Sequence, residues 1–244
     1  MARLLIQIID FLTIRRSTVR ETRRIPTLSS DMKNAKKTGT SPATHTVAVR
    51  IDTMRQRDIQ HHTYADYLTW SAASGEELID GVAYIREPPA PSRLHQEFVV
   101  ELCRQVTGSL RGKVPRAYVA PFDVRLPKSS VEGDDRTDTV VQPDILIVCD
   151  RQKLDERGMR GAPDWIAEIL SSGTASYDRT IKLQAYERAG VPEVWLVDPI
   201  DRIVTVYRIA GRHYTQPVVL ELRGRTAITA VPGVSIDWDC LLTT

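Results

Sequence analysis

Two carboxylates and a lysine in the middle of the chain are of the residue types that phosphodiester hydrolysis requires. Asp144 follows Pro143 and precedes an apolar run, and Glu168 lies inside the apolar run 165–170. Lys182 falls in the helical segment that comes next. Two carboxylates can hold a divalent cation, and an ammonium group can stabilise negative charge that develops on a phosphoryl group. The order of these residues therefore favours a metal-assisted hydrolytic site at the rim of a sheet.

Each of these three residues also has a simpler explanation. An aspartate after a proline often begins a strand, so Asp144 alone indicates a turn as readily as a ligand. Glu168 is costly inside an apolar strand unless it is paired or binds a cation, and an arginine partner would satisfy that need as well. Lys182 stands four residues after Asp178, the spacing of a surface ion pair worth about 0.3 to 0.5 kcal/mol. Spacing alone leaves both interpretations open.

Two further residues could complete such a site. His95 lies in a long helical segment, and Glu77 begins a hairpin. Either side chain could supply one more ligand or position a water molecule, although single residues of these types are usually solvated or locally paired. The sequence contains no Gly-rich nucleotide loop, no Gly-x-Ser-x-Gly and no His-Glu-x-x-His motif, which excludes the commonest nucleotide, esterase and zinc-protease sites.

The elements that must position these residues begin near Tyr64. Hydrophobic periodicity predicts a short helix there, a hairpin turning at Asp80-Gly81, and a helix capped by Ser92 that ends near Gly108 or Gly112. Strands are predicted at 116–124, 139–149, 164–170, 193–197, 203–209 and 214–222, with a helix at 176–189 ended by Gly190. The predicted fold class is α+β, a central mixed β-sheet flanked by helices.

The charge of the chain is unevenly distributed. Residues 1–63 hold 12 Lys and Arg against 5 Asp and Glu, a net charge of +7, whereas residues 64–244 carry −5. The pattern of 1–63 predicts a basic, disordered N-terminal extension, and 64–244 is predicted to be the folded domain. A basic extension could grip nucleic acid, but the acidic domain has no general electrostatic footprint for DNA.

The three cysteines are far apart and form no Cys-x-x-Cys pair. This predicts neither a disulfide framework nor a zinc site, and a reducing, cytoplasmic location fits best. The first apolar run, 4–14, is too short to span a bilayer, so no membrane partner is expected.

Several segments together resemble one known family. They are ELIDG at 77–81, the Pro-rich turn before Ser92 and His95, VQPD at 141–144, GAPD at 161–164, EILS at 168–171, and the run from Tyr186 through Gly190 into EVWLVDP at 193–199. From about residue 64 to 242, with these segments in the same order and alignment, the chain resembles the Uma-type putative restriction endonuclease family of the PD-(D/E)XK nuclease superfamily.

The resemblance implies a restriction-endonuclease-like core in 64–244 with Asp144 and Glu168 as the two motif acids. Both would bind Mg2+ or Mn2+. The superfamily's usual lysine would stand two residues after the glutamate, where this chain has Leu170. The family uses a lysine from the following helix, which is Lys182 here, to stabilise the transition state. His95 or Glu77 would tune the metal or position water.

The function implied is a metal-dependent endonuclease that hydrolyses DNA phosphodiester bonds. One alternative is a catalytically inactive nuclease fold that serves as a binding or assembly module, and another is a hydrolase of RNA or another phosphoester. A homodimer is a further expectation, because nucleases that cut both strands often work as dimers.

Overall fold

The structure is a computed structural model, and it describes residues 54–70, 75–86, 91–129, 131–171 and 173–241. Residues 1–53 of the basic extension predicted for 1–63 therefore lie outside the described residues. Residues 54–56 form a strand that pairs with residues 84–86. This strand lies ahead of Tyr64, where the sequence pattern placed the beginning of the domain.

The helices are α1 (Tyr64–Tyr67), α2 (Arg93–Leu110), α3 (Ala175–Tyr177) and α4 (Leu183–Ala189), with a π-helical turn at Asp178–Lys182 between the last two. The strands are β1 (Met54–Gln56), β2 (Glu76–Ile79), β3 (Val82–Arg86), β4 (Arg116–Val119), β5 (Val124–Arg125), β6 (Val140–Val141), β7 (Ile145–Val148), β8 (Leu154–Asp155), β9 (Gly158–Arg160), β10 (Trp165–Ile169), β11 (Glu193–Asp198), β12 (Ile203–Ala210), β13 (His213–Tyr214), β14 (Val218–Glu221), β15 (Arg225–Ala227) and β16 (Ser235–Asp237).

These strands form two large sheets and a small one. The first sheet has the order β1-β3-β2-β6-β5-β9-β8. The second has the order β13-β12-β11-β10-β7-β4, with β14 also paired to β12, and β15 pairs with β16. Strand β10 is parallel to β11 and antiparallel to β7, so the second sheet is mixed. The predicted α+β class with a mixed sheet and flanking helices is confirmed, but the sequence pattern did not separate two sheets.

Helix α2 forms as its apolar spacing predicted. Ser92 caps it by accepting a hydrogen bond from the amide of His95 at 3.2 Å, and Phe98 and Leu102 lie on its buried face. That face packs into the apolar core that includes Trp165 of β10. His95 lies on the same face as Phe98 and Leu102 at helical spacing, so packing of the helix turns the imidazole toward the sheet.

The hairpin β2–β3 also forms as predicted. Asp80 and Gly81 have φ values of 51° and 79°, which a two-residue turn of type I′ requires at both positions. The turn fixes the register in which Glu77 pairs with Tyr84. Because side chains alternate along a strand, Glu76 and Glu77 point to opposite faces of the sheet.

The single strand predicted at 139–149 is wrong, because the chain divides there into β6 and β7. These two strands belong to different sheets. Pro143 lies between them and has no amide hydrogen to donate to a ladder, so the pairing stops on either side of it. Asp144 consequently lies where the chain passes from one sheet to the other.

The hairpin β8–β9 was not predicted from the sequence. Gly158 in this hairpin allows its backbone to pack closely against the backbone of Asp123. Gly158 has φ 126°, and a Cβ there would lie 2.2 Å from the backbone oxygen of Asp123. We expect Gly158→Ala to lower the free energy of unfolding by about 3 kcal/mol, since both the strained backbone and the clash with main-chain atoms must be accommodated. Urea denaturation measures this loss.

Gly161→Ala is the matched control for Gly158→Ala. Gly161 also has a positive φ, 97°, but a Cβ there would have no atom within 4 Å. Its loss of stability should therefore reflect backbone strain alone and be smaller. Equal losses in the two variants would contradict the proposed clash with Asp123.

No helix in the described part of the chain combines the length and apolar character needed to cross a membrane.

Candidate active site

The structure brings all five predicted site residues into one buried cluster. They come from five parts of the fold: Glu77 from β2, His95 from α2, Asp144 from the link between β6 and β7, Glu168 from β10 and Lys182 from the π-helical turn. Their exposed fractions run from 0% for Lys182 to 7% for His95, so every one is shielded from bulk solvent. We call these five residues the carboxylate–lysine cluster.

Strand pairing places the two acids side by side. Ile145 of β7 pairs with Ala167 of β10 in antiparallel register, so the next residues, Asp144 and Glu168, face each other across the ladder. The amide of Asp144 donates to Oε2 of Glu168 at 3.3 Å, and the amide of Ile169 donates to Oδ2 of Asp144 at 2.8 Å. The backbone of each strand thus holds the carboxylate of the other.

His95 makes the remaining contact to Asp144. Its Nε2 lies 3.1 Å from Oδ2 of Asp144 in a buried hydrogen bond. Burial opposes ionisation of Asp144, but the hydrogen bond and charge of His95, the charge of Lys182 and the amide of Ile169 outweigh it and lower the pKa of Asp144. Asp144 is therefore held as a carboxylate.

Lys182 lies among three acids. Its Nζ is 2.7 Å from Oε1 of Glu168, 3.1 Å from Oε1 of Glu77 and 3.8 Å from Oδ1 of Asp178. The interpretation of Lys182 as half of a surface ion pair with Asp178 is wrong, since its side chain is fully buried. Burial lowers the pKa of Lys182, but the surrounding carboxylates reverse this and raise the pKa above its ordinary value.

The buried carboxyl groups around Lys182 outnumber its single ammonium group. Burial raises the pKa of Glu168 to about 7 against the opposing charge of Lys182, and the neighbouring charges of Asp144 and Glu77 add to the rise. Burial likewise raises the pKa of Asp178 well above its ordinary value. One ammonium group does not neutralise these carboxylates, so the cluster favours either a further proton or a further cation.

Comparison with known proteins identifies the family of the chain. A model of the Uma2 family, described as "Putative restriction endonuclease", matches residues 64–239. The chain belongs to this family. The family resemblance expected from the sequence is confirmed, and the family description supports a nuclease function for this Uma2 chain.

A solved structure shows the same fold. It is described as a putative nuclease belonging to DUF820 from Anabaena variabilis ATCC 29413, and it is 21% identical to this Uma2 chain with a TM-score of 0.59. The match covers 74% of this chain and 97% of that chain, which confirms the predicted restriction-endonuclease-like core. No curated protein matches the chain.

The position of Lys182 in this Uma2 chain follows from the π-helical turn. Leu170, two residues after Glu168, is buried in the apolar core and cannot supply a charge. The turn Asp178–Lys182 brings a lysine to the same carboxylate from the neighbouring helix instead. Such turns inside helices are common at functional sites because they shift one side chain relative to a regular helix.

Sequence reasoning missed Asp178 and Tyr186 as members of the site. Tyr186 is fully buried, and its hydroxyl donates a short hydrogen bond to Oε1 of Glu168. Burial, and next the charge of Glu168, raise the pKa of Tyr186 well above its ordinary value, so it remains a donor. Asp178, Lys182 and Tyr186 follow one another at intervals of four residues, and this spacing along one helix face was the available signal.

The donor set suits a hard divalent cation bound through few protein ligands. The described ranges contain no group of three or more His, Cys, Asp or Glu side chains arranged to hold a metal ion. Mg2+, however, is usually bound through one or two carboxylates, with water and substrate phosphates completing its octahedral shell. Asp144 and Glu168 match that requirement in type and number.

Proposed function

We propose that this Uma2 protein is a metal-dependent endonuclease that hydrolyses DNA phosphodiester bonds. The observation that carries the proposal is the carboxylate–lysine cluster, in which Asp144 and Glu168 face each other and a buried ammonium group contacts Glu168 and Glu77. Asp144 and Glu168 would hold Mg2+ or Mn2+. The bound ion would act as a Lewis acid on a phosphoryl oxygen.

Lys182 would stabilise the charge that develops on the phosphoryl group. Its Nζ lies 2.7 Å from Oε1 of Glu168 and 3.1 Å from Oε1 of Glu77. An ammonium group has three N–H donors, so two can face these carboxylates while the third is directed at a phosphate oxygen. A donor aimed at developing charge in a buried site contributes more than the same donor in water.

Glu77 and His95 are the two candidates for positioning the attacking water. Oε1 of Glu77 accepts from the amide of Gln142 at 2.7 Å, whereas its Oε2 is buried without a hydrogen-bond partner among the described residues. Nδ1 of His95 is buried and unpartnered in the same way. A buried polar atom without a partner is costly, so each of these atoms favours a bound water or substrate group.

The domain has a net negative charge, so contacts with DNA phosphates would have to come from individual exposed arginines. Arg93, Arg179 and Arg188 each form one surface ion pair, with Glu97, Asp198 and Asp80 respectively. Exposed ion pairs contribute about 0 to 1 kcal/mol, so a DNA phosphate can replace the carboxylate at little cost.

The deciding experiment incubates the purified protein with supercoiled plasmid, a single-stranded DNA oligonucleotide and an RNA of the same sequence, in EDTA, Mg2+ and Mn2+. We expect DNA cleavage with either metal and none in EDTA. Cleavage of RNA alone would reassign the substrate. A folded protein that cuts nothing and binds no metal by calorimetry would reject the nuclease and favour a binding or assembly module.

Tyr186→Phe tests the metal site without a cleavage assay. The variant removes the hydroxyl that holds Oε1 of Glu168, so the carboxylate loses a fixed orientation. We expect Mn2+ affinity, measured by calorimetry, to fall about 10-fold or more, as is usual when a residue that orients a metal ligand is lost. Tyr214→Phe is the control, because its hydroxyl bonds the backbone oxygen of Val191 at 3.1 Å, away from the acids. Equal Mn2+ affinity in both variants would contradict this role.

A further inference from the structure

A cavity of about 460 Å³ lies on the face of β2 that carries Glu76, whereas Glu77 of the carboxylate–lysine cluster points to the opposite face. Its walls include Tyr67, Trp70, Phe122, Asp123 and Gln142. Gln142 contributes to both features. It is one of the residues that line the cavity, and its backbone amide donates a hydrogen bond to Oε1 of Glu77 at 2.7 Å. Asp144 follows Gln142 after one intervening residue.

Two aromatic rings of the residues that line the cavity stack on neighbouring rings. The ring of Phe122 stacks on Tyr118 with centroids 4.2 Å apart and an interplanar angle of 13°. The ring of Tyr67 stacks on Tyr64 at 5.7 Å and 27°. Rings that are already ordered lose little conformational freedom when a flat ligand stacks on them. The wall is therefore suited to a planar aromatic ligand.

The polar side of the cavity offers acceptors in a fixed place. Oδ1 of Asp123 accepts hydrogen bonds from the hydroxyl of Tyr67 at 3.0 Å and from Nε2 of Gln142 at 2.9 Å. Oδ2 of Asp123 and Oε1 of Gln142 accept none from the other described residues. A nucleobase presents ring and amino N–H groups at its edge, which these two oxygens can accept.

We infer that this cavity binds one nucleobase of a DNA strand, unstacked from its neighbours. This inference rests on the proposed nuclease function. A base inside a duplex is stacked on both faces and paired at its edge, so it cannot enter the cavity without being extruded. The protein therefore prefers single-stranded or locally unpaired DNA.

The test compares two labelled single strands of about 12 nucleotides, a length within the usual range of single-strand binding sites, by fluorescence anisotropy. One strand is oligodeoxycytidine, and the other has the same backbone with abasic sites throughout. The protein is Asp144→Asn, which prevents cleavage, and the wild type in EDTA provides the same comparison should that variant not fold. We expect the base-bearing strand to bind about 10-fold or more tightly, as stacking on aromatic side chains predicts.

Phe122→Leu tests the cavity itself, since it keeps apolar volume and removes the stacking ring. This variant should lose the preference for the base-bearing strand. Tyr207→Leu removes a ring on β12 outside the cavity and should keep it. Equal binding of the two strands, or a preference that Phe122→Leu leaves intact, would overturn the inference.

The outcome separates this inference from the proposed function. One outcome is that the wild type cleaves DNA with metal but binds both strands equally. This result would support the proposed nuclease function and reject the nucleobase site. The opposite outcome is that the protein cuts nothing but prefers the base-bearing strand, and that Phe122→Leu abolishes this preference. This result would support the nucleobase site and reject the proposed nuclease function.

Discussion

Asp144→Asn is expected to reduce metal-dependent DNA cleavage by about 10³-fold or more, because it removes a charged ligand from the proposed metal site. Asparagine has nearly the shape of aspartate and can still accept the hydrogen bond from the amide of Ile169. The fold should therefore persist, and the loss should lie in catalysis. Nicking rates on supercoiled plasmid in Mg2+ and Mn2+ measure the effect, and circular dichroism confirms folding.

The control for Asp144→Asn is the same substitution at Asp201. Asp201 is exposed in the turn between β11 and β12 and is not a member of the carboxylate–lysine cluster. The Asp201→Asn variant should cleave DNA at the rate of the wild type. Cleavage by folded Asp144→Asn at a rate close to that of Asp201→Asn would refute the assignment of Asp144 to the active site.

Lys182→Met is expected to lower stability and to abolish cleavage. Methionine can fill the space of the lysine stem, but it leaves the carboxylates of Glu168 and Glu77 buried without their cation. Removing one partner of a buried ion pair typically costs about 3 to 5 kcal/mol. We expect a loss in the free energy of unfolding near the lower end of that range, since Glu168 can take up a proton. Urea denaturation in EDTA measures it.

A divalent cation should partly rescue this variant. If Asp144 and Glu168 bind Mn2+, the ion restores positive charge to the cluster, and Mn2+ should stabilise Lys182→Met more than it stabilises the wild type. Arg188→Met, in the α4 helix that follows the π-helical turn, is the matched control, because Arg188 is half exposed and its pair with Asp80 should contribute at most about 1 kcal/mol. A Lys182→Met protein as stable as Arg188→Met would show that the buried ion pairs are energetically unimportant.

Local chemistry explains why several elements were predictable from the sequence. Ser92 followed by apolar residues at helical spacing predicted α2, and the pair Asp80-Gly81 predicted the turn between β2 and β3. Gly190, with φ 80°, ends α4 as predicted. In each case the signal depends on neighbouring residues only, through a cap, a positive φ or a periodic apolar face.

Non-local pairing explains what was missed. The separation of β6 from β7 depends on which distant strands they join, β2 and β5 for the first and β4 and β10 for the second. The hairpin β8–β9 is short, and it forms where it can pair with β5. Strands this short have little intrinsic preference, so their partners decide whether they form.

The sequence by itself determined the fold class, the family and the identities of the candidate residues, because periodicity, capping and motif order are local properties of the chain. Only the tertiary structure decided that Lys182 is a buried partner of Glu168 and Glu77 rather than a surface partner of Asp178. It also decided that His95 contacts Asp144 across the core. Burial and through-space distance set the charge state and the contacts of such groups, and both are fixed only when distant segments pack together.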